Sequence, residues 1–316
     1  MKAVRRWLPW LAAVALFAWL LARVPADALR AALHHSSYWT LAAWVLLSTI
    51  LVLPLDAYAI AEALTLAGVG RAFRELFLVR GASYLLGLLS YVAGQGGVGV
   101  WLVRRGVRAS RATGAMLLLM ITIGMVLVAV AALGLLADLP EERRRLLLWL
   151  TAGACAGTAL YLAVIASRPR WLAERAVLAP LFEAGIGGHL RAAAARVPHI
   201  LVMAALQWVS FRIWGIAVPF WRGLALNCAV LLIGALPVTP SGLGTTQVLH
   251  VLAFAPWAEG ATPEARQADV LAFSVVAYTF GLIAQALVGF VCLAALRRTG
   301  PAQIESAIES EIEERV

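Results

Sequence analysis

The sequence predicts an all-α polytopic membrane protein, with about six transmembrane helices and two re-entrant helical hairpins. Of its 316 residues, 62% are hydrophobic and only 14% are charged, whereas about a quarter of the residues in soluble domains are charged. Several apolar stretches are long enough to cross a hydrocarbon core of about 30 Å. Two further apolar regions are interrupted by glycine or proline, as expected of helices that enter the bilayer without crossing it.

Six stretches are predicted to span the membrane. The first follows Lys2, Arg5 and Arg6, and this pattern is also typical of a signal peptide. Because many hydrophobic segments follow, a retained first helix is favoured. The predicted spans are 7–22, 38–62, 113–137, 146–166, 199–221 and 268–296.

The two interrupted regions, 76–103 and 223–256, are predicted to be re-entrant hairpins. Arginines concentrate in cytoplasmic loops, and a single crossing by 76–103 would place the cluster that follows it on the wrong side. Hairpins that dip in and return remove this conflict and enter from opposite faces, as in an inverted repeat. The alternative is that each is an ordinary helix pair with a glycine-rich surface turn.

The same arginine distribution places both termini in the cytoplasm. Residues 168–198 mix arginines with large apolar side chains, which is typical of an interfacial cytoplasmic segment. Residues 1–298 then form one transmembrane domain, and 299–316 form an acidic cytoplasmic tail.

The first hairpin contains Gly94-x-Gly96-x-x-Gly99, which formally matches a dinucleotide-binding fingerprint. That fingerprint requires a preceding strand and a later acidic residue, and neither fits an apolar stretch without acids. We therefore interpret these glycines, with Gly97, as permitting a sharp reversal and close helix approach. Gln95 would supply hydrogen bonds at the tip of the hairpin.

The second hairpin is broken between residues 237 and 244. Pro237 and Pro240 end the preceding half-helix, and the next half-helix is predicted to begin near Thr245. Its positive dipole end suits a phosphate or carboxylate group, although a purely structural turn is the alternative. The other candidate binding residues at this turn are Ser241, Gly242, Gly244, Thr246 and Gln247.

Ionisable residues inside predicted spans are costly and are therefore functional candidates. Asp56 and Glu62 are candidates for proton or ion coupling, although Glu62 can also reach the interface. Arg212 is hypothesised to hold a lipid phosphate or to pair with one of these carboxylates. His250 is more simply explained as a packed polar residue.

Signatures of other functional classes are absent from the sequence. No common catalytic motif is present, and Cys155, Cys228 and Cys292 lie far apart without a metal-binding spacing. We therefore expect no catalytic residue, metal, cofactor or nucleic-acid partner.

The two hairpin motifs resemble the lysylphosphatidylglycerol synthase transmembrane region, a flippase-like domain family. The similarity lies in 236–244, Leu-Pro-Val-Thr-Pro-Ser-Gly-Leu-Gly, and in the first-hairpin glycines followed by Arg104 and Arg105. The resemblance implies a stand-alone flippase-like domain in the bacterial cytoplasmic (inner) membrane, without its own synthase domain. In this interpretation the candidate lipid-binding residues are those of both hairpins together with Arg104, Arg105 and Arg212.

The predicted function is the binding and translocation of a membrane phospholipid or a lipid-linked molecule. One alternative is an intramembrane enzyme that acts on a lipid-linked substrate through Asp56, Glu62 or His250. Another is a non-transporting scaffold whose acidic tail recruits a lipid synthase. Predicted partners are thus the lipid itself and either a lipid synthase or a second copy of the chain.

Overall fold

The computed structural model describes residues 25–33, 38–69, 73–89, 91–234, 239 and 242–298, and within these ranges the regular structure is helical. The predicted first span and the acidic tail lie outside the described residues. The helices are α1 Ala26–Leu33, α2 Tyr38–Leu66, α3 Phe73–Gly87, α4 Tyr91–Arg104, α5 Ala109–Leu133, α6 Glu141–Ser167, α7 Arg170–Ala173, α8 Ala179–Trp214, α9 Phe220–Gly234, α10 Thr245–Phe254 and α11 Pro263–Arg298.

Five of the described helices are long and apolar enough to cross a bilayer. They are α2, α5 with the 3₁₀ turn Gly134–Leu136, α6, α8 and α11. Large apolar side chains face outward from them, including Trp149, Leu160 and Phe290, whose exposed fractions are 77%, 67% and 63%. Such surfaces suit lipid rather than water, and the chain is therefore an α-helical polytopic membrane protein. These five helices match five of the six predicted spans.

Helix α8 differs from the sequence prediction at its start. It begins at Ala179 and continues through Pro198 to Trp214, with a kink at Gly185, where φ is 57°. About two thirds of the predicted interfacial segment 168–198, from residue 179 onward, therefore form the first part of this long helix. Hydropathy missed this extension because arginines lower the mean hydropathy of the segment. In the structure Arg191 and Arg196 pair with Glu62 and Asp56 on α2.

Two pairs of short helices complete the architecture. Helices α3, α4, α9 and α10 have 15, 14, 15 and 10 residues, so each rises about 22 Å or less. In the first pair, α3 packs on α11 and α4 packs on α5. The second pair packs on the same two long helices in the opposite order: its first helix, α9, packs on α5, and its second helix, α10, packs on α11. Helices α2 and α8 pack on each other between the two pairs.

Glycines set the contact within the first pair. A Cβ on Gly94 would lie 2.9 Å from the Gly87 Cα, and one on Gly97 would lie 2.7 Å from the Ser83 Cβ. These pairings make α3 and α4 antiparallel. The predicted reversal at residues 94–99 is wrong, because the chain turns between Gly87 and Tyr91 and the later glycines lie inside α4. The predicted close helix approach is confirmed.

The second pair breaks where the sequence predicts, with α9 ending at Gly234 and α10 beginning at Thr245. Gly242 and Gly244 have φ angles of 74° and 81°, which is a left-handed conformation that favours glycine. The Gln247 side-chain oxygen accepts a hydrogen bond of 2.7 Å from the Gly244 N–H and so caps α10. The predicted site residues Pro237, Pro240 and Ser241 lie outside the described residues.

Candidate functional site: a cavity at the centre of the helices

A cavity of about 500 Å³ lies between the long helices and the two short pairs. It borders the middle of α2 from Val45 to Asp56 and the second half of α8 from His199 to Ser210. Each of these segments rises about 16 Å. The volume is within the range of ligand sites in proteins, about 300–1,000 Å³.

The ends of both short-helix pairs reach this cavity. Gly87, Gly94 and Gln95 line it from the first pair, and Gly234 and Thr246 line it from the second. The two breaks in the helical backbone therefore face the same space. Polar backbone and side-chain groups at such breaks require partners or a polar cavity when they lie at membrane depth.

A cluster of ionisable side chains is buried on one side of the cavity. Arg80 Nε donates a hydrogen bond of 2.6 Å to an Asp56 carboxylate oxygen, and Arg196 pairs with the other oxygen. His199 Nε2 lies 3.9 Å from Asp56. We call these four residues the Asp56 cluster. It joins α2, α3 and α8, and Asp56, Arg80 and His199 line the cavity.

The charges of the Asp56 cluster do not cancel. Two guanidinium groups, which stay protonated in proteins, face one carboxylate, and all three residues are at least nine-tenths buried. Arg196 Nε has no hydrogen-bond partner among the described residues. A buried ion pair is costly unless its charges and donors are satisfied. The cluster therefore carries an excess positive charge at the edge of the cavity and favours an anionic ligand.

Neutral polar side chains line other parts of the cavity. Ser48 Oγ, Asn227 Nδ2 and His250 Nδ1 are buried in its wall without a hydrogen-bond partner in the described structure. An unsatisfied buried polar group costs about 1–3 kcal/mol. A ligand with hydroxyl or carbonyl groups would remove this cost, so these side chains are candidates for binding an uncharged part of a ligand.

The structure brings only some of the predicted site residues to the cavity. Asp56, Gln95, Thr246 and His250 line it. Arg212 is exposed in the last turn of α8 and does not. Its hypothesised pairing is wrong, because Arg80 and Arg196 bind Asp56, whereas Arg191 Nε lies 2.7 Å from Glu62.

Other predicted binding residues have structural contacts away from the cavity. Arg105 pairs with Glu75 and so joins the end of α4 to the start of α3. Thr245 Oγ1 lies within hydrogen-bond distance of Thr239 Oγ1, at 3.0 Å, and Gln247 is fully buried as the cap of α10. Also outside the cavity wall are Glu62, Gly96, Gly97, Gly99, Arg104, Gly242 and Gly244.

Sequence analysis missed the residues that give the site its charge. Arg80 is the one charged residue of the predicted hairpin 76–103, and Arg196 and His199 lie on either side of Pro198 in α8. An arginine inside a predicted membrane segment is a signal of function or pairing. Arg80 carried this signal but was not named among the candidate residues.

Comparisons with known proteins do not assign the chain to a family. No protein-family model, curated protein or solved structure is significantly similar to it.

Proposed function

We propose that this protein binds the headgroup of a membrane lipid in its central cavity and moves that lipid between the two leaflets. The observation that carries the proposal is that both short-helix pairs end at one cavity, which the positively charged Asp56 cluster borders on one side. A headgroup in this position would be sheltered from the hydrocarbon, and the acyl chains would extend between helices into the bilayer.

The membrane topology supports this proposal. Helices α3, α4, α9 and α10 are too short to cross a core of about 30 Å, so we infer that both pairs are re-entrant. With five crossings by α2, α5, α6, α8 and α11, the segments α2–α5 and α8–α11 run in opposite directions. The exchanged packing of the two pairs on α5 and α11 matches an inverted repeat with a midplane site.

Ion pairs join several helices at one end of the molecule. Glu75 pairs with Arg105 between α3 and α4, and Arg111 pairs with Glu183 between α5 and α8. We infer that this arginine-rich end is cytoplasmic, by the positive-inside rule, and attracts anionic lipid. The resemblance to flippase-like domains agrees with this inference.

Reconstitution into liposomes tests the proposal. Fluorescent phosphatidylglycerol, phosphatidylethanolamine and phosphatidylcholine are placed in both leaflets, and dithionite quenching measures the fraction that becomes accessible. We expect the protein to raise accessibility above the approximately half that protein-free liposomes show, for at least one of these lipids. Unchanged quenching with all lipids, at a verified protein density, contradicts the proposed translocation.

A matched pair of variants links transfer to the cavity. The double variant Asp56→Asn/Arg80→Gln removes the Asp56–Arg80 ion pair as a whole and leaves Arg196 as the one buried charge that loses its partner, so thermal unfolding is used to verify that the variant folds. We expect it to slow transfer at least tenfold, whereas Arg212→Gln, which changes an exposed arginine, retains the wild-type rate. Equal rates in the two variants would place transport outside this cavity.

A further inference from the structure

The first arms of the two hairpins have related sequences. Helices α3 and α9 both have 15 residues, begin with phenylalanine and end with glycine. In this alignment Ala82 matches Ala229, and the final Leu-Leu-Gly of α3 matches Leu-Ile-Gly of α9. The two arms therefore share an apolar frame and a terminal glycine at the cavity.

In this alignment Arg80 and Asn227 occupy equivalent positions, since each is the eighth residue of its helix. Both side chains are buried and both line the cavity. Helix α3 packs on α2 and α11, whereas α9 packs on α5 and α8, so the two residues reach the cavity from different sides. The repeat thus presents a guanidinium on one side and a neutral amide on the other.

The neutral side has a second unsatisfied group. Asn227 Nδ2 and His250 Nδ1 are both buried without a hydrogen-bond partner among the described residues. Asp56 is the only acidic residue in the described cavity wall, and it already pairs with Arg80 and Arg196. A cationic headgroup would therefore meet excess positive charge and no available carboxylate.

We infer that the cavity is specific for an anionic lipid whose phosphate carries an uncharged, hydroxyl-bearing headgroup. The phosphate binds beside Arg80, because charged donors form the stronger hydrogen bonds to anionic oxygens. The headgroup hydroxyls bind Asn227 and His250, whose polar atoms otherwise stay unpaired. This inference rests on the proposed lipid-binding function and names its substrate class.

Binding of short-chain lipids to the purified protein in detergent tests this specificity. Native mass spectrometry compares dioctanoyl phosphatidylglycerol, phosphatidic acid, phosphatidylethanolamine and cationic dioctanoyl trimethylammonium propane. We expect phosphatidylglycerol to bind at least tenfold more tightly than the other lipids. Soluble sn-glycerol 3-phosphate should bind at least a hundredfold more weakly, and equal binding would overturn the assignment to a lipid.

Two variants separate the sides of the cavity. Arg80→Gln should weaken phosphatidylglycerol and phosphatidic acid alike, by tenfold or more. Asn227→Leu, which is close in size, should weaken phosphatidylglycerol five- to twentyfold and change phosphatidic acid less than twofold. Arg212→Gln is the matched control and should leave all affinities unchanged.

A third variant keeps the test decisive if Asn227→Leu does not fold. Asn227→Asp adds a carboxylate to the neutral side and should weaken phosphatidylglycerol while improving binding of the cationic lipid. Wild-type binding of the cationic or zwitterionic lipid as tight as that of phosphatidylglycerol would overturn the inferred specificity but leave lipid transfer intact. Absence of both lipid binding and lipid transfer would overturn the proposed function as well.

Discussion

The two helical hairpins have a common frame, but different interactions hold them. In the first hairpin, glycines bring α3 and α4 together, and charged side chains fix the pair to its neighbours. Arg80 contacts Asp56 on α2 and donates a longer hydrogen bond of 3.4 Å to the Gly94 carbonyl on α4. In the second hairpin, left-handed glycines and the Gln247 cap shape a neutral turn.

This difference shows how two hairpins with a similar frame form an asymmetric site. The apolar positions and terminal glycines that α3 and α9 share set how each arm packs. The polar residue at the eighth position differs between the two arms, and both residues line the cavity; Arg80 in addition pairs with Asp56 on α2. One hairpin thus provides charge and the other provides neutral hydrogen-bonding groups.

The largest effect on stability is expected at the Asp56 cluster, which holds the first hairpin. Asp56→Asn leaves Arg80 and Arg196 buried without a counter-charge, and breaking such a buried pair costs about 3–5 kcal/mol. Thermal unfolding in detergent, followed by tryptophan fluorescence, should show a large fall in the melting temperature. The control Asp138→Asn removes the partner of Arg222, but its side chain is 97% exposed, so we expect no measurable change. Equal melting temperatures for the two variants would contradict the importance of the Asp56 cluster.

A smaller effect is expected at the glycine contact of the first hairpin. Gly94→Ala places a methyl group 2.9 Å from the Gly87 backbone, and such overpacking costs about 1–3 kcal/mol. Gly96→Ala is the matched control, because its added Cβ meets no atom within 4 Å beyond the adjoining backbone of its own helix, and alanine favours the helix. Thermal unfolding should therefore rank Gly96→Ala at or above the wild type and Gly94→Ala below it. A higher melting temperature for Gly94→Ala than for Gly96→Ala would contradict the close contact between Gly87 and Gly94.

A still smaller effect on stability is expected in the second hairpin, at the cap of α10. Gln247→Ala removes the acceptor for the Gly244 N–H, and the loss of a helix cap costs about 0.5–2 kcal/mol. Thermal unfolding in detergent should then show a lower melting temperature than that of the wild type. Gln267→Ala, a half-buried glutamine near the start of α11, should leave the melting temperature unchanged. A wild-type melting temperature for Gln247→Ala would mean that the cap does not stabilise α10.

The smallest effect is expected at Arg212, outside both hairpins. Because this side chain is exposed, Arg212→Gln should change stability by less than about 0.5 kcal/mol. Its lipid transfer rate in liposomes should equal that of the wild type. A clear loss of transfer would restore Arg212 as a ligand and weaken the comparison of the two hairpins.

The hairpins also show how far the sequence can define a site. The breaks predicted near Gly94 and Pro237 drew attention to Gln95 and Thr246, because a broken helix in a membrane requires a polar environment. Both residues line the cavity, although the first break lies between Gly87 and Tyr91. The sequence could not separate Thr246 from its neighbour Gln247. Helical rotation turns Thr246 toward the cavity, whereas the side chain of Gln247 folds back to cap α10.

The sequence by itself determined the membrane class and five of the long helices, because the length and hydropathy of a segment are local properties. It also located the two pairs of short helices, but it placed the first turn at residues 94–99, whereas the chain turns between Gly87 and Tyr91. Only the tertiary structure decided the charge of the site. Asp56 pairs with Arg80 and Arg196, which lie 24 and 140 residues later in the sequence. Pairing at such separations depends on how the helices pack.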